Sequence, residues 1–300
     1  MANTESVLLL DGYKGLGTSF WIELFLDEHE SRETLPAIRS FLEETIASFD
    51  ATYSRFKETS LLSELNRNKV IAYDHHLAYM VAQAQEASRI THNVFSIFIK
   101  EALEEKGYGV QTGQKSFENK EQNSAVTIHE KTITLHGNKG IDLGGIGKGY
   151  LIDLLAKILK ETYNLHYFTI NGGGDIYVTS NHGSPIKLYL EHPGNPDEYI
   201  ASIEVTNMAF CSSSSFKRMW HKDGKEVNHF IAHRDVWAAS YVLGTTATLA
   251  DMYATVYCIE STDQESLERI AKETGTEYLV ITEEGKMLHT DGFKNQIHKN

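Results

Sequence analysis

Four glycines and a lysine crowd into the stretch 141–153, IDLGGIGKGYLID, at positions 144, 145, 147, 149 and 148. A strand-like run at 132–135 precedes it, and residues 151–159 follow with apolar positions at helical spacing, so the layout reads strand, glycine loop, helix. Backbone N–H groups at a helix start have no partner within the helix and carry the positive end of its dipole. Glycines let an anion such as a phosphate come close to them, and Lys148 adds a formal charge. Two better-known phosphate motifs are excluded: no Ser or Thr follows the lysine, and the spacing is not GxGxxG. The same glycines would equally serve a tight connection that binds nothing.

Composition narrows the partners. A formal net charge of −13 over 300 residues argues against general binding to nucleic acid or to an anionic membrane, either of which wants a basic face. An acidic chain that handles a phosphorylated ligand has to screen it locally, with a metal or a helix end. The two cysteines, Cys211 and Cys258, imply neither a disulfide framework nor a cysteine metal site. No apolar run reaches bilayer length and the N-terminal one is too short for a signal peptide, so the expected location is the cytoplasm, without membrane insertion.

Along the chain, 17–26 reads as a strand rich in aromatic and β-branched residues, and 33–49 as an amphipathic helix. A polar connection holding Ser54, Arg55 and Phe56 feeds a short helix capped by Thr59 or Ser60. Another helix covers 75–90. The polar, aperiodic stretch 111–124 reads as an exposed insertion, and 125–129 and 132–135 as short strands. In YFTINGGGDIYVT, residues 167–179, three glycines divide two β-rich halves. This is a tight strand pair in which Asp175 serves as a turn residue more readily than as a catalytic acid. Further strands fall at 186–191 and 200–205.

Sharper chemistry lies later. His229 sits between apolar residues on an expected strand after an Asp223-Gly224 turn, a place where a lone histidine is usually structural. Residues 245–259 form a buried helix with Asp251 and Thr255 at i and i+4, a carboxylate and a hydroxyl on one face. An aspartate in an apolar helix is costly unless paired. Its partner is an ion, an internal hydrogen bond or a remote arginine.

In this order the motifs resemble the ApbE family, the FAD:protein FMN transferases. IDLGGIGKGYLID is similar to that family's DLGGIAKGYAVD-type signature, NGGGDI to its NxGGD segment, and LADMYATV to its ADAxxT helix. Weaker matches run from LGT at 16–18 through SRFKETSLLSELN and KGYG to NHFIAHR at 228–234. The resemblance implies an α+β fold of mixed, largely antiparallel sheets with packed helices, formed by the whole chain as one domain, with a flavin site in a cleft between two lobes. It further implies Mg²⁺-dependent transfer of the FMN half of FAD to a threonine of a target flavoprotein, with AMP leaving. Carried over by position, the metal ligands are the Gly147 carbonyl and the side chains of Asp251 and Thr255. Flavin contacts fall on Leu16, Phe56, Phe95, Ser96, Gly144, Tyr150 and Ile231, Lys148 lies near the phosphates, and His229 is the base. The chain departs from the family pattern in HNVFSIF, where Ser96 replaces an aspartate and Phe98 a threonine, and in HFIAH, where Ala232 and His233 stand for aspartate and proline. A second reading is hydrolysis of FAD to FMN and AMP with the same metal, and the Ser96 and Ala232 departures keep a third in view, flavin binding or partner regulation without catalysis.

Overall fold

The structure, a computed structural model, describes residues 5–27, 32–108, 124–180, 183–215, 219–222, 225–228, 230–231 and 238–298. In chain order its elements are β1 (Glu5–Gly15), β2 (Thr18–Leu26), α1 (Leu35–Tyr53), α2 (Leu61–Asn68), β3 (Val70–Ala72), α3 (His75–Ile90), α4 (Lys100–Glu105), β4 (Ala125–Ile128) and β5 (Thr132–His136). There follow α5 (Gly147–Lys157) with a π-helical turn at Ile158–Thr162, β6 (Phe168–Gly172), β7 (Asp175–Thr179), β8 (Ile186–His192), β9 (Asn195–Val205), β10 (Met208–Ser214), β11 (Met219–Lys222) and β12 (Lys225–Asn228). The chain continues with β13 (Ala239–Gly244), α6 (Ala247–Ile259), α7 (Gln264–Thr274), β14 (Glu277–Ile281), β15 (Met287–His289), α8 (Asp291–Gln296) and β16 (Ile297–His298).

An eight-stranded sheet in the order β1-β2-β6-β7-β10-β13-β14-β15 carries the architecture, and every recorded strand pair is antiparallel. Because side chains alternate across a strand, one run of sequence supplies two cores. On β10, Ala209 and Cys211 join the cluster under the helices, while Phe210 between them joins a second cluster on the opposite face. On β13, Val242 goes one way and Tyr241 and Leu243 the other; on β14, Tyr278 and Val280 oppose Leu279. The first face is covered by α1, α5, α6 and α7 through Leu42, Ile46, Leu155, Val256 and Ile270. The second is covered by the three-stranded sheet β16-β9-β8 and Phe293 of α8. Each fully buried side chain of this size contributes about 1.5–3 kcal/mol. The fold is therefore α+β, with mixed helix and antiparallel sheet, as expected.

Local signals set the boundaries. Ser60, rather than Thr59, caps α2 by accepting the Ser63 N–H at 3.0 Å, and Asp74 caps α3 through the Leu77 N–H at 2.7 Å. One departure from the sequence reading is α5, which starts at Gly147 instead of 151, so that two of the loop glycines belong to its first turn. The reason is packing: a Cβ on Gly149 would lie 2.3 Å from the Ala247 carbonyl oxygen and 2.8 Å from the Asp251 Cβ, so only glycine lets α5 and α6 cross this closely. Strand β1 has no counterpart in the sequence reading, because two register shifts, between Leu8 and Leu10 and between Leu10 and Tyr13, break its alternation. The expected insertion, apart from Ser124, and the Asp223-Gly224 turn lie outside the described residues. Among the described residues no helix is long and apolar enough to cross a membrane.

Candidate active site

The glycine loop runs along a cavity of about 1440 Å³ between the helical layer and the ends of β7 and β10 that carry Asp175 and Ser212. Its approach is fixed from outside. Asn66 of α2 exchanges two hydrogen bonds with the backbone of Ile141, accepting its N–H at 2.7 Å and donating to its carbonyl at 2.9 Å. Asp142 accepts the Gly144 N–H at 2.7 Å with one oxygen and is paired to the Arg55 guanidinium with the other.

At the start of α5 lies a cluster of three charges. The Lys148 ammonium reaches the carboxylates of Asp175 on β7 and Asp251 on α6, the latter at 2.9 Å. Asp251 uses its other oxygen to accept the Gly149 N–H at 2.9 Å, and Asp175 accepts the Ser212 N–H at 3.3 Å. The helix-start N–H at 149 is thus taken by a carboxylate of the protein itself. Burial works against the lysine's charge, but the two carboxylates override it and hold its pKa above the ordinary lysine value. Burial pushes the Asp175 carboxyl up against the pull of Lys148. With two carboxylates against one ammonium, the cluster carries a formal charge of about −1 on side chains that are all largely buried.

Thr255 faces the same loop: a Cβ on Gly145 would sit 3.9 Å from its Oγ1. Gly144, Gly147, Lys148, Asp251 and Thr255 all line the cavity, so the fold gathers every expected metal-site residue at one end. The helix α6 that carries Asp251 and Thr255 is held at its N-terminus by Asp153, whose carboxylate accepts the N–H groups of Ala247 and Thr248, each at 2.8 Å.

Towards the other end the lining is aromatic and apolar. Arg55, 3% exposed, lies 4.3 Å from the centre of the Phe56 ring and 5.6 Å from that of Tyr108, donates to the Tyr108 carbonyl at 3.2 Å, and stands 3.6 Å from Glu104. Phe95 packs its ring under Gly145, the glycine that Thr255 also faces, so the two parts of the lining meet at the glycine loop. Its loop turns through His92 and Asn93, both with positive φ, and is tied by Thr91, whose hydroxyl accepts the Phe95 N–H at 3.0 Å. Ser96 accepts the Phe98 N–H at 3.1 Å. Leu16, Phe56, Ser96, Phe98 and Ile231 also border the cavity.

One expected residue falls elsewhere. Tyr150 is on the far side of α5, where its hydroxyl lies 2.7 Å from His76 Nδ1 and its ring meets Phe49 and Tyr79, and it is not among the lining residues. His229 lies outside the described residues, as do Ala232 and His233. Conversely, Asp175, read from sequence as a turn residue, is 3% exposed and one of the three charges at the glycine loop. The signal for it was present, since an aspartate among the β-rich residues of a buried strand needs a cationic partner. Nothing in the sequence paired it with Lys148.

The model of the ApbE family matches residues 16–280. The chain belongs to the ApbE family. A curated member from Haemophilus influenzae, named FAD:protein FMN transferase, is 25% identical over 92% of this chain and 86% of its own length. Among solved structures, the ApbE protein of Thermotoga maritima superposes with a TM-score of 0.80 at 18% identity, covering 99% of this chain and 100% of that one. The flavin transferase ApbE of Vibrio cholerae gives 0.75 at 18% identity, over 98% and 99%. At these identities the structural likeness establishes the fold, and the residues at the site have to be argued from their own chemistry.

Proposed function

We propose that this protein transfers the FMN half of FAD to a threonine hydroxyl of a target flavoprotein, with AMP as the leaving group. The observation that carries the reading is the pairing, within one cavity, of the buried charged cluster at Lys148 and Asp251 with an aromatic and apolar stretch at Phe56 and Phe95. With a divalent cation to offset its surplus negative charge the first suits a pyrophosphate, the second suits an aromatic ring system, and about 1440 Å³ exceeds what a small ligand needs and suits a dinucleotide. The names of the ApbE relatives support the coarser part of this reading, the transfer of FMN from FAD to a protein.

The site also fits Mg²⁺. The groups at this end are hard oxygen donors, and their surplus negative charge is what a divalent cation would neutralise. No group of three or more His, Cys, Asp or Glu side chains is arranged to hold a metal among the described residues. The ligands would instead be Asp251, the Thr255 hydroxyl and the Gly147 carbonyl, with phosphate oxygens and water completing the shell as Mg²⁺ prefers. When bound, the ion would neutralise the pyrophosphate and align it for displacement.

The protein's own groups do the rest. Asp251 is fixed by the Gly149 N–H and does not have to reorganise. Lys148 offers an ammonium on the cavity wall, and the aromatic end orients the flavin half so that its phosphorus faces the acceptor. The threonine oxygen forms the new P–O bond while the bond to AMP breaks, and the hydroxyl proton passes to a base, the role we assign to His229.

Incubation with FAD, MgCl₂ and a candidate flavoprotein, followed by mass spectrometry of that protein, is the test. A gain of one FMN supports transfer. Free FMN and AMP without attachment would make the protein an FAD hydrolase, and intact FAD after prolonged incubation would make it a flavin binder.

A further inference from the structure

We infer that Lys148 is a built-in counter-cation that occupies Asp251 when no divalent cation is bound, and that Asp175 is the anchor on which it pivots away when one arrives. The inference rests on the reading of Asp251 as a divalent-cation ligand. Its basis is the geometry of three side chains from three different elements. The ammonium of Lys148, on α5, contacts one oxygen of Asp251 at 2.9 Å and also Asp175. The second oxygen of Asp251 is held by the Gly149 N–H at 2.9 Å, so the carboxylate cannot turn to present a free oxygen. A cation entering from the cavity therefore meets the one oxygen it needs already paired to an ammonium, and two positive charges on one oxygen repel strongly at this degree of burial.

Asp175 makes the exchange inexpensive. Its side chain is 3% exposed and its other oxygen receives the Ser212 N–H, so it stays in place. Lys148 would keep one buried partner after releasing Asp251 and would not be stranded as an unpaired charge. The lysine's four-carbon stem and single-point charge suit such a pivot better than a planar guanidinium would. The same movement frees the ammonium from one of its two carboxylates at the moment the site gains positive charge and a phosphorylated ligand is to be bound. On this account Asp175 is a positioning residue that acts through Lys148.

Titration calorimetry of MgCl₂ into the flavin-free protein tests this without any turnover, using wild type, Lys148→Met, Asp175→Asn and the double variant. Lys148→Met removes the competitor, and Mg²⁺ affinity is expected to rise about tenfold or more. Asp175→Asn leaves the lysine with Asp251 as its only partner, and affinity is expected to fall about tenfold. The double variant decides the matter, because its formal charge equals that of wild type but it has no competitor: it should bind Mg²⁺ more tightly than wild type. Equal affinity of the double variant and wild type would mean that net charge alone matters and would overturn the inference, while leaving Asp251 as a ligand. If neither wild type nor any folded variant binds Mg²⁺, with or without FAD, the metal reading fails and the inference with it. Should the Lys148 variants not fold, acetylation of wild-type Lys148 by acetic anhydride, followed by mass spectrometry, is expected to speed up several-fold with saturating MgCl₂. An unchanged or slower rate would overturn the pivot.

Discussion

At one end of the cavity the side chains hang from regular elements that press on one another, whereas at the other they stand on loops. Lys148, Asp175 and Asp251 come from α5, β7 and α6, and the two carboxylates are held in place by the backbone N–H groups of Ser212 and Gly149. Arg55, Phe56, Phe95 and Ser96 come from the turns that follow α1 and α3, one of which needs two consecutive residues with positive φ. The charged end resembles a core with ions in it. The aromatic end is held by one buried guanidinium that joins Asp142, Glu104 and the Tyr108 carbonyl. The chemistry at the two ends should therefore respond differently to mutation, with the charged end sensitive to volume and the loop end to loss of a single ion.

The largest effect is expected from Arg55→Ala. It strands the Asp142 carboxylate, 8% exposed, without its cation, and breaking a buried pair in this way typically costs about 3–5 kcal/mol. Urea denaturation should show that loss. A cost below about 1 kcal/mol would mean that the loop end is held by packing after all, and the contrast would fail. Gly149→Ala probes the other end. Its new methyl would meet the Ala247 carbonyl at 2.3 Å, a backbone atom that cannot rotate away, and overpacking of this kind costs about 1–3 kcal/mol. Because α6 would have to retreat and take Asp251 with it, Mg²⁺ affinity should fall together with stability. A stable variant with wild-type metal affinity would show that the tight crossing is not what positions Asp251.

A smaller, more local change sharpens the comparison at the loop end. Ser96 spends its hydroxyl on the Phe98 N–H within its own turn, and Phe98 adds apolar surface at the cavity, so this stretch offers a nucleotide few polar partners. Ser96→Asp keeps an acceptor for the turn and adds a second oxygen that faces ligand hydroxyls. FAD affinity by flavin fluorescence titration is expected to tighten about tenfold, or about 1.4 kcal/mol. Weakening instead would mean that the loop has been rebuilt around contacts that exclude a carboxylate.

The same contrast explains what could be read from the sequence. Helix α3 is bounded by an Asp74 cap and keeps its period throughout, so its limits at 75 and 90 are those of the expectation. The β6-β7 pair was equally legible from three glycines between β-rich runs. Strand β1 was not, because bulges interrupt its alternation, and neither was the true start of α5, because the close approach of Ala247 that demands Gly149 comes from a residue about a hundred positions later. The charged end was visible as separate letters: an aspartate in an apolar helix, a lysine among glycines, an aspartate after NGGG. Their meeting is a tertiary fact that no local pattern encodes. Tyr150 illustrates the opposite case. It is one residue beyond Gly149 in the motif, yet helical rotation carries it to the far side of α5, against His76.

The finest test concerns how the charged end is anchored, and it has a definite sign. Asp153 accepts hydrogen bonds from Ala247, Thr248 and the Thr248 hydroxyl at the start of α6, an arrangement that on its own would favour the carboxylate. Burial outweighs those bonds, and the folded-state pKa lies above the ordinary aspartate value. A carboxyl with a raised folded pKa binds its proton more tightly in the native than in the unfolded chain. Its contribution to stability is therefore full below the unfolded pKa and is lost as pH rises through the folded one. Asp153→Asn keeps a carbonyl acceptor and does not titrate. The stability gap between wild type and Asp153→Asn, from urea denaturation at a series of acidic pH values, should narrow as pH rises above the ordinary carboxylate range. A gap that widens with pH would mean that the helix-start hydrogen bonds win over burial, and that α6, with Asp251 and Thr255 on it, is tethered by a charge and not merely by a neutral cap.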